Sequence, residues 1–189
     1  MSLIPLVIDL ESQPALVVGG GKVALRRVRT LLEAGAKVTL VAPEASTELI
    51  RLAGAKQIAW RKKIFASDDL GEAWVVVAAT DDPEVNRFVA EAAGPRRLVN
   101  VADQPELGNF RVPVRLQRGR LIFSVSTGGA SPILARKIRD DLAEQYDQSW
   151  EEKLDRLYEE RRQMKASGWS QAERKERLRR LVEELITDM

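Results

Sequence analysis

Three consecutive glycines, Gly19, Gly20 and Gly21, stand between the apolar run 15–18 and a helical pattern over residues 22–34, and with Ala24 they fit G-x-G-x-x-A. Between a strand and a helix, such a turn suits one task. The first glycine permits a tight bend, and the next lets backbone amides approach a pyrophosphate. The small side chain of Ala24 lets the helix pack closely on the strand, while the helix N-terminus faces the phosphate charge. Lys22 and Val23 open that helix. The motif points to a dinucleotide; a merely structural turn is the other reading. An acid that holds the ribose is expected about 20 residues on. Val41 stands there, and Glu44, behind Ala42 and Pro43, is the nearest substitute. Glu44 is either that ligand or an ordinary loop carboxylate. After Val41 no Lys or Arg follows before Arg51, so a 2′-phosphate lacks a partner and NAD is favoured over NADP.

Few groups can move a proton here. The chain has no histidine and no cysteine, which excludes imidazole bases, thiolate nucleophiles, disulfides and Cys/His zinc sites, and no metal site is expected. Asp103 follows the run 97–101 (RLVNV) and Ala102, while Thr80, Asp81 and Asp82 follow 74–79 (WVVVAA). Both places lie at the carboxyl ends of expected parallel strands, where ligands of such sheets bind. A carboxylate there can accept a proton, its pKa tuned by burial. A loop or capping role for Asp103 is the plainer alternative.

Residues 111–139 carry seven basic side chains and no acid: Arg111, Arg115, Arg118, Arg120, Arg136, Lys137 and Arg139. The same segment holds Ser126-Thr127-Gly128-Gly129-Ala130-Ser131-Pro132, a hydroxyl-rich glycine turn leading into a helix N-terminus. Guanidinium forks suit carboxylates and phosphates, and such a turn suits anions. Either these arginines meet an anionic ligand or they lie on solvated faces, pairing across a dimer.

The elements that must position these groups follow from periodicity. Strands are expected over 15–18, 37–41, 58–60, 74–79 and 97–101, with helices over 22–34 and from Pro83 to about residue 93. The continuous apolar run 74–79 is what a strand buried on both faces requires. This βαβ alternation implies a parallel sheet. Beyond Phe110, 111–117 and 120–126 read as an antiparallel hairpin around Arg118 and Gly119, and Ser131-Pro132 as the cap and first turn of a helix to about 146. Residues 147–189 hold 10 basic and 11 acidic side chains. Trp150, Leu154 and Leu157, and then Leu178, Leu181, Val182 and Leu185, fall at helical spacing among them. Gly168 breaks the pattern, and Ser170 with Glu173 has capping-box spacing for a second helix.

The whole chain is 189 residues with a net charge of +2, 44% hydrophobic and 31% charged. That fits one α/β domain with accessory elements and excludes wholesale disorder. Aromatics at 5% argue against a base-stacking platform, and the balanced tail is no basic arm, so no nucleic-acid partner is expected. The start MSLIPLVIDLESQP lacks a basic n-region, and no apolar run approaches the ~18 residues of a membrane span. A soluble, cytoplasmic protein without a membrane partner is expected.

The combined pattern resembles the precorrin-2 dehydrogenases of siroheme biosynthesis, both the stand-alone enzymes and the N-terminal module of multifunctional siroheme synthases. The stretches that carry the resemblance are IPLVIDL, VVGGGKVALRRVRTLLEAGAKVTLVAPE, VVVAATDDPEVNRFV, NVADQPELGNFRVP and SVSTGGASPILARKIRD, in that order, over residues 4–141. The tail after 147 is the least matched part. The resemblance implies NAD-dependent oxidation of precorrin-2 to sirohydrochlorin, and in some members iron insertion to give siroheme. It implies a homodimer of three parts: a Rossmann-like parallel-sheet domain (1–112), a small α+β dimerisation region (113–146) and a helical C-terminal region (147–189). Lys22, Val23, Pro43 and Glu44, with Gly19, Gly20 and Gly21, match cofactor positions, and Thr80 and Asp81 lie on the nicotinamide side. Asp103 matches the aspartate thought to handle protons in dehydrogenation and chelation. Asn109, Arg111, Ser126, Thr127, Gly128, Gly129 and Ser131 are the positions expected to face the substrate. Thr127 stands where some relatives have serine, and Ala102 where many have a second valine. Precorrin-2 carries eight carboxylates, which the acid-free segment would complement. In chelation, substrate nitrogens would coordinate the metal. A nucleotide-sensing Rossmann module without chemistry is the rival reading, although the hairpin and the STGGASP turn have no place in it; a chelatase without dehydrogenase activity is a narrower one.

Overall fold

The computed structural model describes residues 3–187. It divides after Val112 into two units. In the first, a wholly parallel sheet forms from β1 (Pro14–Val18), β2 (Lys37–Val41), β3 (Ala59–Arg61), β4 (Val75–Ala78) and β5 (Leu98–Val101), in the order β3-β2-β1-β4-β5. Alternate residues of β4 enter different cores. Val75 and Val77 join the cluster under helices α1 (Lys22–Glu33) and α2 (Thr47–Gly54). Val76 and Ala78 join the cluster on the other face, with Val89 and Ala93 of helix α3 (Pro83–Ala93). Burial on both faces explains why the strand carries no polar side chain.

The register places the strand ends level. Val18 pairs with Val41 and Ala78, and Ala78 with Val101. The chain therefore leaves β1, β2, β4 and β5 along one edge, at Gly19, Ala42, Ala79 and Ala102. Local chemistry sets the helix limits. Gly35, at φ 77°, ends α1. The Asp82 carboxylate accepts the Glu84 and Val85 N–H groups, with Pro83 in the first turn, and starts α3. Helix α2 is an addition to the expected elements: at eight residues it is short, yet it buries Leu49 and Leu52 against the sheet.

In the second unit β6 (Val114–Arg118) and β7 (Leu121–Val125) pair antiparallel. The first strand starts three residues later than the sequence pattern suggests, because Pro113 has no N–H for the ladder. Helix α4 (Pro132–Gln145) packs on this hairpin, and α5 (Ser149–Ala166) and α6 (Gln171–Thr187) follow. Ser170 and Glu173 form the capping box, Glu173 N donating to Ser170 Oγ at 3.3 Å and Ser170 N to the Glu173 carboxylate at 2.8 Å. No described helix is long and apolar enough to cross a membrane.

Candidate functional site

At the edge where the strands end, each glycine of the loop has its own reason. Gly19 sits at φ 119°, and a Cβ there would run into the Ala79 carbonyl oxygen. Its N–H donates to Val41 O at 3.0 Å, so β1, β2 and β4 meet through it. A Cβ on Gly20 would strike the Glu44 carbonyl oxygen, and Ser46 N donates to Gly20 O at 2.9 Å. Gly20, the free position between the two motif glycines, thus packs against the loop after β2. Gly21 is the open one. It is the N-cap of α1, at φ −86°, and a Cβ there meets nothing within 4 Å. It supplies no side-chain cap, and α1 has no acid in its first turn. The first N–H groups of α1 are thus left for an outside acceptor, unlike those of α3. The arrangement fits a dinucleotide phosphate. Ala24, completely buried, allows the close helix–sheet contact.

Lys22, Val23, Pro43 and Glu44 are exposed beside this opening. Val41, where a ribose-binding acid was expected, points into the core, leaving Glu44 as the exposed carboxylate of the loop. The next cation, Arg51, is held by Glu48 at 2.9 Å, as is Arg29, also at 2.9 Å. Hydrogen bonds from Arg51 and then Arg29 bring the Glu48 carboxyl down to about 2.

At the ends of β4 and β5 the structure joins Thr80 and Asp103 through a residue the sequence reading did not single out, Asn86. Its Nδ2 donates to Asp103 Oδ1 at 3.1 Å and to Thr80 O at 3.1 Å. Its Oδ1 accepts from Thr80 N at 3.0 Å and Thr80 Oγ1 at 2.8 Å. A fully buried amide at the fourth position of α3, facing the core where Val89 and Ala93 lie, was the available signal. Asp103 is exposed at the rim, as is Asp81. Among the described residues no group of three or more His, Cys, Asp or Glu side chains could hold a metal ion.

Asn109, expected on the substrate side, commits its amide to the main chain: Oδ1 accepts from Val99 N at 2.8 Å and Nδ2 donates to Arg97 O at 2.7 Å. It stands in for a missing neighbour strand along β5 and delivers the chain to Arg111, which is half-buried.

In the second unit the turn over 126–131 closes on itself. Thr127 Oγ1 donates to Ser131 O at 3.1 Å and accepts from Ser131 N at 3.0 Å. Ser126 Oγ accepts from Gly128 N, and Ser131 Oγ caps α4 by accepting from Leu134 N at 3.1 Å. Gly128 and Gly129 adopt φ 63° and 95° with open space around them, so backbone geometry alone accounts for both. The basic segment is largely answered by groups outside it. Arg120 pairs with Asp155 at 2.8 Å and lies 3.7 Å above the Tyr158 ring. Lys137 pairs with Asp141, Arg139 with Asp140, and Arg118 Nε donates to Tyr146 O. That favours the solvated-face reading for these four, whose partners lie in the same chain.

A family described as "Putative NAD(P)-binding" matches residues 6–114, and one described as "Sirohaem biosynthesis protein central" matches 118–145. The chain is 37% identical over 160 residues to a precorrin-2 dehydrogenase of Bacillus subtilis (strain 168), covering 85% of this chain and 99% of that one. It is 44% identical to a siroheme synthase of Xylella fastidiosa (strain M12), over 85% of this chain but 34% of the relative. The solved structure of SirC, precorrin-2 dehydrogenase, superposes with a TM-score of 0.84 at 35% identity, covering 95% of this chain and 89% of the other.

Proposed function

The chain belongs to the precorrin-2 dehydrogenase family, and from that membership we propose that it oxidises precorrin-2 to sirohydrochlorin with NAD, as a cytoplasmic homodimer. The observation that carries the reading is the shared strand edge: the uncapped N-terminus of α1 opens at Gly21, and Asp103 is exposed at the end of β5 on that same edge. When bound, NAD supplies the hydride acceptor. Gly21, Lys22 and Val23 would hold the phosphates, Pro43 and Glu44 the ribose side, and Thr80 and Asp81 the nicotinamide side. With Arg51 tied to Glu48, no free cation of that loop favours a 2′-phosphate.

The oxidation removes a hydride and a proton. Asp103 takes the proton on the carboxylate oxygen that Asn86 leaves free. Arg111 and the turn with Ser126, Thr127, Gly128, Gly129 and Ser131 are proposed as elements that receive substrate carboxylates, with Arg136 as a further exposed cation. Asn109 contributes by fixing the backbone before Arg111. The dimer is supported by the apolar side chains of Ile133 and Leu134 of α4, which lie in the open at 78% and 51% exposure. Residues 113–146 are proposed as the dimerisation region and 147–189 as a helical appendage.

The test is a spectroscopic assay with precorrin-2, NAD and Fe²⁺ added in turn. NADH should form at the second addition. Asp103→Ala should lower turnover about 100-fold or more while NAD affinity stays near wild type. NAD binding with no turnover and no tetrapyrrole affinity would return the chain to a nucleotide-sensing module. A change at the third addition reads iron insertion, proposed as a second step in which Asp103, exposed to solvent, receives the two displaced pyrrole protons one after the other and passes each to water.

A further inference from the structure

Asn86 is completely buried, and its side chain can adopt only one orientation. A backbone N–H only donates and a backbone carbonyl only accepts. The hydrogen bonds from Thr80 N to Asn86 Oδ1 and from Asn86 Nδ2 to Thr80 O therefore decide which end of the amide is which. Flipping it would set donor against donor and acceptor against acceptor. The N–H that remains is directed at Asp103 Oδ1, 3.1 Å away. Asp103 thus always meets a donor on that side, from a group with no freedom to turn away.

The carboxylate itself is poorly restrained otherwise. It is exposed and follows a strand end, with the turn Pro105–Leu107 beginning two residues later. Nor does α3 need Asn86 to start, since Asp82 caps it and Pro83 opens it. Thr80 Oγ1 extends the same network: it accepts from Asp82 N at 3.2 Å, and Asp82 O at 3.0 Å competes with Asn86 Oδ1 at 2.8 Å for its single proton. The β4 loop, Asn86 and Asp103 form one hydrogen-bonded unit.

We propose that Asn86 is the positioning residue of the dehydrogenation: it holds Asp103 by Oδ1, leaves Oδ2 to accept the substrate proton, and locks that base to the Thr80 loop. The proposal rests on the reading of Asp103 as the base. The substrate loses a hydride to NAD and a proton to Oδ2, and Asn86 exchanges neither. Its effect is geometric, of the size expected when a reacting group loses its support, about 10- to 100-fold in turnover.

The experiment compares wild type, Asn86→Asp, Asn86→Ala, Asp103→Ala and the double variant Asn86→Ala/Asp103→Ala. It measures kcat and KM with precorrin-2 and NAD, and NAD affinity by fluorescence titration. Asn86→Asp keeps the volume and the acceptor for Thr80 N and Oγ1 while removing the donations to Asp103 and Thr80 O. Asn86→Leu, similar in volume and without a buried charge, is added so that the test stays sound if either of the other variants folds poorly. Each single Asn86 variant should lose about 10- to 100-fold in kcat, with KM for precorrin-2 within about twofold of wild type and a loss of NAD affinity well below the loss in kcat, since Asn86 also holds Thr80. The double variant should be no slower than Asp103→Ala. Multiplying losses in the double variant, or a parallel loss of NAD affinity, would show a general structural role and overturn the proposal. Asp103→Ala with wild-type turnover defeats the underlying reading; a slow Asp103→Ala beside a fast Asn86→Asp defeats this inference alone.

Discussion

Adding one methyl group at either of two glycines two residues apart should give opposite phenotypes. Alanine at Gly19 has to hold φ 119° and place its Cβ against the Ala79 carbonyl. The dihedral costs about 1–3 kcal/mol, and moving a packed strand end costs about 1–3 kcal/mol more. For a domain of this size, about 4 kcal/mol lowers Tm by roughly 8–16 °C. Alanine at Gly21 meets open space at an ordinary φ. Alanine is the poorer N-cap by about 0.5–1 kcal/mol, but it restricts the unfolded chain by about 0.4–1 kcal/mol, so Tm should stay within about 2 °C of wild type. The methyl group then stands before the amides left for phosphate. Losing one hydrogen bond to a charged group costs about 1.5–3 kcal/mol, or roughly 10- to 100-fold in NAD affinity. Thermal denaturation by circular dichroism without cofactor, and calorimetric NAD titration at a temperature where all three proteins are folded, separate the two effects. Wild-type NAD affinity in Gly21→Ala, or an unchanged Tm in Gly19→Ala, would refute the assignment of one glycine to packing and the other to the phosphate.

Two further outcomes are expected. Asp69 is buried and accepts from Ala66 N at 2.9 Å, Lys63 at 2.9 Å and Arg61 at 3.1 Å. Burial pushes its carboxyl up, but those donors together outweigh it and hold it below the usual aspartate range. A lowered native pKa stabilises the fold above the unfolded value near pH 4 and is lost as pH falls through the native one. Asp69→Asn should therefore lose about 1–3 kcal/mol at pH 7 and show a flatter decline below pH 4 in urea titrations; a parallel decline would argue against it. Arg111→Ala and Arg136→Ala should each weaken tetrapyrrole binding about 3- to 10-fold, and wild-type binding should weaken with added salt. Salt-independent affinity would return both arginines to the solvated surface.

Much of the architecture is local in origin and was legible. The apolar run of β4, the β-branched β2, the glycine that stops α1 and the Asp-Pro pair that starts α3 each act within a few residues. Their order as alternating strands and helices implies a parallel sheet. A parallel sheet then carries the glycine loop, Glu44, Thr80 and Asp103 to one edge, because every strand runs the same way. That much needs no coordinates. What the tertiary structure alone decided is which side chains meet across long loops. Asn86 and Asp103 are 17 residues apart, and no periodicity links them; only the spacing of α3 over β4 and β5 brings the amide to the carboxylate. The acid-free segment left two readings open, an anionic ligand or a solvated surface, and for Arg120 the partner is Asp155, 35 residues away. Gly20 and Gly21 are adjacent and chemically identical, so their different tasks depend wholly on what stands over each. Patterns of residue type report the forces that act along the chain, whereas pairing between distant polar groups is settled by packing, which places them within hydrogen-bond reach.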